Sequence, residues 1–228
     1  MKKKIRKIHR YLGIFIGLQF LMWTISGLYF SWTDIDQIHG DDFKTSYTPK
    51  KFNNLFGLQA LEGNISIHSI ELREIDDKPY YWINESFLFD GLTGKVKKGI
   101  TEKEAVSIAS KRMKIDLKML PVELITETNS HHEYRERSLP AYVISYRHKE
   151  NIKAYVSQKD GKFQTVRHRN WRWFDFLWMT HTMDYQGRDN FNTLLLRAFS
   201  LLGLITVLSG FLLWYISSPT VRKIKKRI

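Results

Sequence analysis

Residues 11–32 read YLGIFIGLQFLMWTISGLYFSW, an uncharged run preceded by MKKKIRKIHR at residues 1–10. At about 1.5 Å per residue a helix of this length covers roughly 33 Å, enough to cross the hydrocarbon core of a bilayer. The run is therefore predicted to be a membrane-spanning helix. The leader carries Lys2, Lys3, Lys4, Arg6, Lys7 and Arg10 and no acid, so the positive-inside rule keeps residues 1–10 in the cytoplasm and sends the chain beyond Trp32 outward. A cleaved signal peptide fits less well. The run is longer than a signal h-region, and its exit reads Tyr29-Phe30-Ser31-Trp32 where a peptidase requires small residues.

A second apolar run, FNTLLLRAFSLLGLITVLSGFLLWYI at 191–216, is long enough to return. Ser218-Pro219 stops it, and residues 217–228 form a basic tail. Of the net charge of +13, six positive charges lie in residues 1–10 and five in residues 219–228; the rest of the chain is nearly balanced. A nucleic-acid binder needs its basic surface on the folded body. Charge confined to the ends instead suits two cytoplasmic termini lying against anionic lipid.

Between the runs, residues 33–190 are long enough for one extracytoplasmic domain with its own core. The chain has no cysteine, which excludes disulfides, iron–sulfur clusters, thiolate zinc sites and thioether-linked haem. Alternation predicts strands from Ile65 to Ile75, Tyr80 to Ile83 and Phe87 to Phe89, with a turn at Asp76-Asp77-Lys78-Pro79. Thr101-Glu102-Lys103-Glu104 is a capping box ahead of a helical apolar face at Ala105, Ile108, Ala109 and Met113. Further strands are predicted after Pro121, from Ala141 to Arg147, Lys153 to Gln158 and Phe163 to Arg167. FLFDGLTGKVKK and AYVSQKDGKFQTV share an aromatic strand, Asp, Gly, Lys and a strand, which suggests a duplication. The expected fold is α+β, a helix on antiparallel sheet between two antiparallel transmembrane helices. The aromatic stretch WRWFDFLWMTHTM at 171–183 reads either as a segment at the membrane–water boundary or as the last helix of the domain.

Small residues recur in both runs: Gly13 and Gly17 form a GxxxG pair, and Thr24, Ser26 and Gly27 are echoed by Thr206, Ser209 and Gly210. They can bring helices together, or the hydroxyls can bond their own helix backbone. His131-His132 with Glu133 reads as a solvated loop before a metal site, because adjacent histidines point apart. No phosphate loop, nucleophile motif or HExxH is present.

Ile8-His9-Arg10-Tyr11-Leu12-Gly13, Ser26-Gly27-Leu28, Leu139-Pro140-Ala141-Tyr142, Tyr155-Val156-Ser157 with Asp160-Gly161-Lys162, and above all FDFLWMTHTMDYQGRDNFN leading to LSGFLLW, stand in an order and spacing that resembles the PepSY-associated transmembrane family over nearly the whole chain. The resemblance implies a PepSY-like periplasmic domain and a place in the bacterial inner membrane. Larger members carry four spans and include ferric-siderophore reductases and iron-regulated proteins that hold b-type haem through helix histidines; other PepSY proteins inhibit or regulate peptidases.

His9 at the inner end of the first run and His181 just outside the second lie on opposite sides of the membrane and cannot share one iron. In a twofold dimer each could meet its mate, giving two bis-histidine haem b sites. Arg6, Lys7 and Arg10 inside, and Arg188 or Arg197 outside, could pair with propionates. The alternatives are an interfacial polar role for His9, a hydrogen bond from His181 to Asp184 or a backbone carbonyl, and a snorkelling Arg197. The expected function is a haem electron-transfer protein of the inner membrane, acting as a homodimer or hetero-oligomer and reducing ferric iron or a ferric siderophore. The competing expectations are a cofactor-free PepSY interaction or regulatory module and an accessory subunit of an iron-uptake system.

Overall fold

The computed structural model describes residues 2–61, 63, 65–114 and 117–219; the basic tail beyond Pro219 lies outside them. It divides into two compact units, one of residues 1–33 with 174–228 and one of residues 34–173.

The first unit is built on two helices long and apolar enough to cross a membrane. Helix α1 runs Lys2–Trp32, so the basic leader is helical and continuous with the apolar run. Lysine, arginine and isoleucine propagate a helix, and nothing before Gly13 interrupts it. Helix α5 runs Leu194–Ser217; it starts three residues later than the apolar run because Thr193 caps it, accepting the Leu196 amide at 3.2 Å. The two pack through the glycines of α5. A Cβ at Gly203 would lie 3.0 Å from the Phe20 ring and one at Gly210 3.2 Å from the His9 ring, whereas Gly13 and Gly17 of α1 have nothing within 4 Å. The GxxxG pair is thus not what joins the helices of one chain.

The second unit is α+β. A short helix, α2 (Ile35–Ile38), precedes strands β1 (Ile70–Ile75), β2 (Lys78–Ile83), β3 (Phe87–Asp90) and β4 (Val96–Lys97), helix α3 (Glu102–Arg112), and strands β5 (Met119–Ile125), β6 (Ala141–Tyr146), β7 (Lys153–Ser157) and β8 (Phe163–Arg167). Helix α4 (Arg169–Thr182) starts here and continues into the first unit. The sheets have orders β1-β2-β3-β4 and β5-β6-β7-β8, every pair antiparallel. Each sheet is followed by a helix, and the two similar segments form the last hairpin of each, so the duplication read from sequence is structural.

Asp76 and Asp77 both adopt positive φ, 49° and 64°, making a two-residue hairpin that leaves Lys78 and Pro79 inside β2. Strand β1 starts at Ile70 rather than Ile65. Its partner ends at Ile83, and beyond it the Asn84 side chain takes over, accepting the His68 and Ser69 amides and donating to the Ser66 carbonyl. Pro121 lies within edge strand β5, where the register shifts between Met119 and Val122; a residue with no N–H is tolerated at a bulge. The capping box forms as predicted, with Thr101 Oγ1 and Glu104 exchanging bonds to each other's amides, a motif whose loss typically costs about 1 kcal/mol. Ala105, Ile108 and Ala109 of α3 share one core with Ile75, Trp82 and Leu88 of the first sheet and Ile144, Ala154 and Val156 of the second.

Candidate functional site

In the first unit α4 brings His181 against α1. Its Nδ1 lies 2.7 Å from Ser26 Oγ, Trp23 Nε1–H donates to the His181 carbonyl at 2.8 Å, and the Phe30 ring meets the imidazole edge-on at 5.6 Å. Trp178 and Phe174, one and two turns away on α4, pack on the same Phe30 ring. The aromatic stretch from Phe174 onward therefore backs the Phe30 ring that meets the imidazole. Burial draws His181 below the usual histidine value, so its neutral form prevails near pH 7.

At the other end of α1, His9 Nδ1 lies 2.7 Å from Ser209 Oγ on α5. The ring rests on Gly210, where a Cβ would approach Cε1 to 3.2 Å. An apolar groove of about 470 Å³, lined by Val207, Gly210, Phe211 and Trp214, opens beside that glycine. The two serines are about 25 Å apart along the hairpin, since His9 and Ser26 share α1 at about 1.5 Å per residue.

Both serines have already committed their single proton. Ser26 Oγ donates to the Met22 carbonyl at 2.7 Å and Ser209 Oγ to the Thr206 carbonyl at 2.7 Å. A hydroxyl has one donor and two acceptor positions, so each short contact assigns the proton to imidazole Nδ1. Nδ1–H donates to the serine, and Nε2 is left as the lone-pair nitrogen, with no hydrogen bond among the described residues. This is the tautomer a metal-ligating histidine adopts when its second nitrogen is held by an outer partner.

The other candidate residues divide. Arg10 is exposed, with its guanidinium 5.6 Å from the Tyr11 ring, and Arg197 is exposed and reaches only Asn192 Oδ1, at 3.4 Å; neither is tied up by an acid among the described residues. Arg188 does not fit the propionate role, because it forms an ion pair with buried Asp175. Asp184 is not the partner of His181. It holds the adjoining loop by accepting the Gln186, Gly187 and Asn190 amides; burial would raise its pKa, but these amides hold it below the usual carboxylate range.

No group of three or more histidine, aspartate or glutamate side chains able to hold a metal ion occurs among the described residues. His132 Nδ1 accepts the Tyr134 amide at 3.0 Å, and Glu133 turns inward, accepting Tyr155 Oη at 2.6 Å and Arg172 Nε at 2.6 Å. The chain thus offers a cofactor two separate imidazoles. Each has Nδ1 held by a serine, an Nε2 with no hydrogen bond among the described residues and apolar neighbours, a donor set that fits a group held through imidazole nitrogen.

A family model described as PepSY-associated TM region matches residues 1–216. No curated protein and no solved structure matches the chain.

Proposed function

We propose a redox function for this chain, which belongs to the PepSY-associated transmembrane family: it is a membrane electron-transfer protein that carries b-type haem on His9 and His181. The observation that carries this reading is the pair of histidine–serine bonds, His9 with Ser209 and His181 with Ser26. Each holds its imidazole through Nδ1, so that Nε2 would be the nitrogen to hold a haem iron, and each sits at a different end of the helical hairpin. Haem supplies one-electron chemistry when bound; the chain supplies ligand, orientation and an apolar surround.

One chain presents a single imidazole at each end, so a second copy completes each ligand pair. Twofold symmetry sets like against like, and Gly13 and Gly17, open on α1, provide a face for the close approach of a neighbouring helix. Arg10 at the inner end and Arg197 at the outer are cations available to propionates. The chain sits in the bacterial inner membrane with both ends cytoplasmic and residues 33–190 in the periplasm, and electrons pass outward to ferric iron or a ferric siderophore.

The test is haem content after substitution. His181→Ala and His9→Ala should each remove about half of the haem extracted from purified protein, since distant sites act independently. Loss of all haem from either substitution, or of none from both, contradicts the arrangement.

A further inference from the structure

The domain carries a second feature independent of the membrane helices. A cleft of about 250 Å³ opens where β1, α3 and the β7–β8 turn meet, with Tyr47, Arg73, Lys111, Arg112 and Lys162 among its lining. Its acids are already engaged. Glu74 accepts Tyr47 Oη at 2.6 Å, the Lys50 amide at 2.9 Å and Lys111 Nζ at 2.9 Å, and Asp76 accepts Ser107 Oγ at 2.9 Å. Asp160, behind the turn, accepts Arg73 at 3.3 Å and the Lys162 amide at 3.3 Å.

Two of the lining cations are paired as well, Arg73 with Glu71 at 2.7 Å and Asp160 at 3.3 Å, and Lys111 with Glu74 at 2.9 Å and Asp77 at 2.8 Å; Arg112 and Lys162 differ. Among the described residues no carboxylate pairs with Arg112 or with Lys162 Nζ, and Arg73 keeps a buried Nε–H without a partner. Arg112 Cζ lies over the Tyr47 ring, 3.7 Å from its centroid, and Tyr47 is anchored through its hydroxyl to Glu74. This cation–π contact holds the guanidinium at the cleft, and a guanidinium is the planar group that receives a carboxylate through paired N–H donors. Leu72, Ile108 and Phe163 complete the cleft with apolar surface.

We infer that this cleft binds a small organic carboxylate, its acid group on Arg112 with Lys162 in support and its apolar body against Leu72 and Phe163. The inference does not depend on haem.

The experiment uses the full chain in mild detergent, titrated calorimetrically with benzoate, with benzamide as uncharged isostere and inorganic phosphate as the competing anion class. Benzoate should saturate at one site per chain, benzamide should bind at least tenfold more weakly, and phosphate should not compete. Arg112→Gln and, separately, exposed Lys162→Gln should each weaken benzoate at least fivefold with unchanged far-ultraviolet dichroism, while Lys149→Gln leaves it unaltered. Arg112→Lys should not restore binding, because an ammonium lacks the fork. Absence of saturation, equal affinity for benzamide, tighter binding of phosphate, or indifference to both Arg112→Gln and Lys162→Gln overturns the inference.

Discussion

Ser26 Oγ and His181 Nδ1 lie 2.7 Å apart across 155 residues of sequence, and the serine hydroxyl donates to the Met22 carbonyl. The imidazole is therefore the donor, and the same arrangement recurs between His9 and Ser209. Outer-shell partners of this kind set ligand orientation and basicity, and their removal typically costs about 10- to 100-fold in metal affinity. Ser26→Ala should lower haem affinity by about that factor at the His181 site alone, and Ser209→Ala at the His9 site alone. Titration of apoprotein with haemin checks this, with nitrogen-15 shifts of the two imidazoles reporting the loss of a single tautomer.

Glu133 provides a contrast between buried and exposed charge within the domain. It is paired with Arg172 at 2.6 Å and has 14% of its side chain exposed, while Lys153 stands 3.7 Å away and is 40% exposed. Burial and then Glu133 itself raise the Tyr155 phenol, so Tyr155 remains a donor. Glu133→Ala leaves Arg172 without its carboxylate and should cost about 3 kcal/mol or more, whereas Lys153→Ala should cost under about 1 kcal/mol. Denaturant unfolding monitored by tryptophan fluorescence would separate them.

His168 makes stability depend on pH. It is 2% exposed, its Nε2–H donates to the Ile38 carbonyl at 3.1 Å, and burial lowers its pKa. The unfolded chain takes a proton below about pH 6.5 that the folded chain refuses. Stability is therefore retained above that value and falls as pH drops toward the folded pKa, by at most about 1.4 kcal/mol per pH unit for one group. His168→Gln should flatten this limb below about pH 6.5; thermal unfolding as a function of pH is the measurement.

Since the chain has no cysteine, single cysteines report topology without background. A cysteine replacing Ser130, in the exposed loop of the domain, should react with an impermeant thiol reagent in intact spheroplasts; one replacing Ser218, after α5, should react only after lysis. Reaction of both in intact cells contradicts a hairpin with both ends inside.

The architecture was legible where one short stretch carries the physical cause. Thr101 and Glu104 announce the start of α3, Asp76-Asp77 announces a hairpin, and the two Asp-Gly hairpins reveal the repeated sheet. The boundaries at Ile70 and Pro121 were not legible, because a partner strand or a bulge decides them. The histidine–serine pairs were missed for the same reason. The recurrence of Ser26-Gly27 and Ser209-Gly210 was visible, but its meaning lies in residues 155 and 200 positions away. Arg188 reads from sequence as a free cation and is claimed by Asp175 on the helix before it.

The most direct measurement is the reduced-minus-oxidised absorbance spectrum of the chain, purified in mild detergent from cells supplied with a haem precursor. Bands of b-type haem at about one haem per chain are expected, two sites being shared by two copies. A protein that stays colourless under reducing conditions, and after reconstitution with haemin, contradicts the redox reading and leaves a membrane-tethered interaction domain.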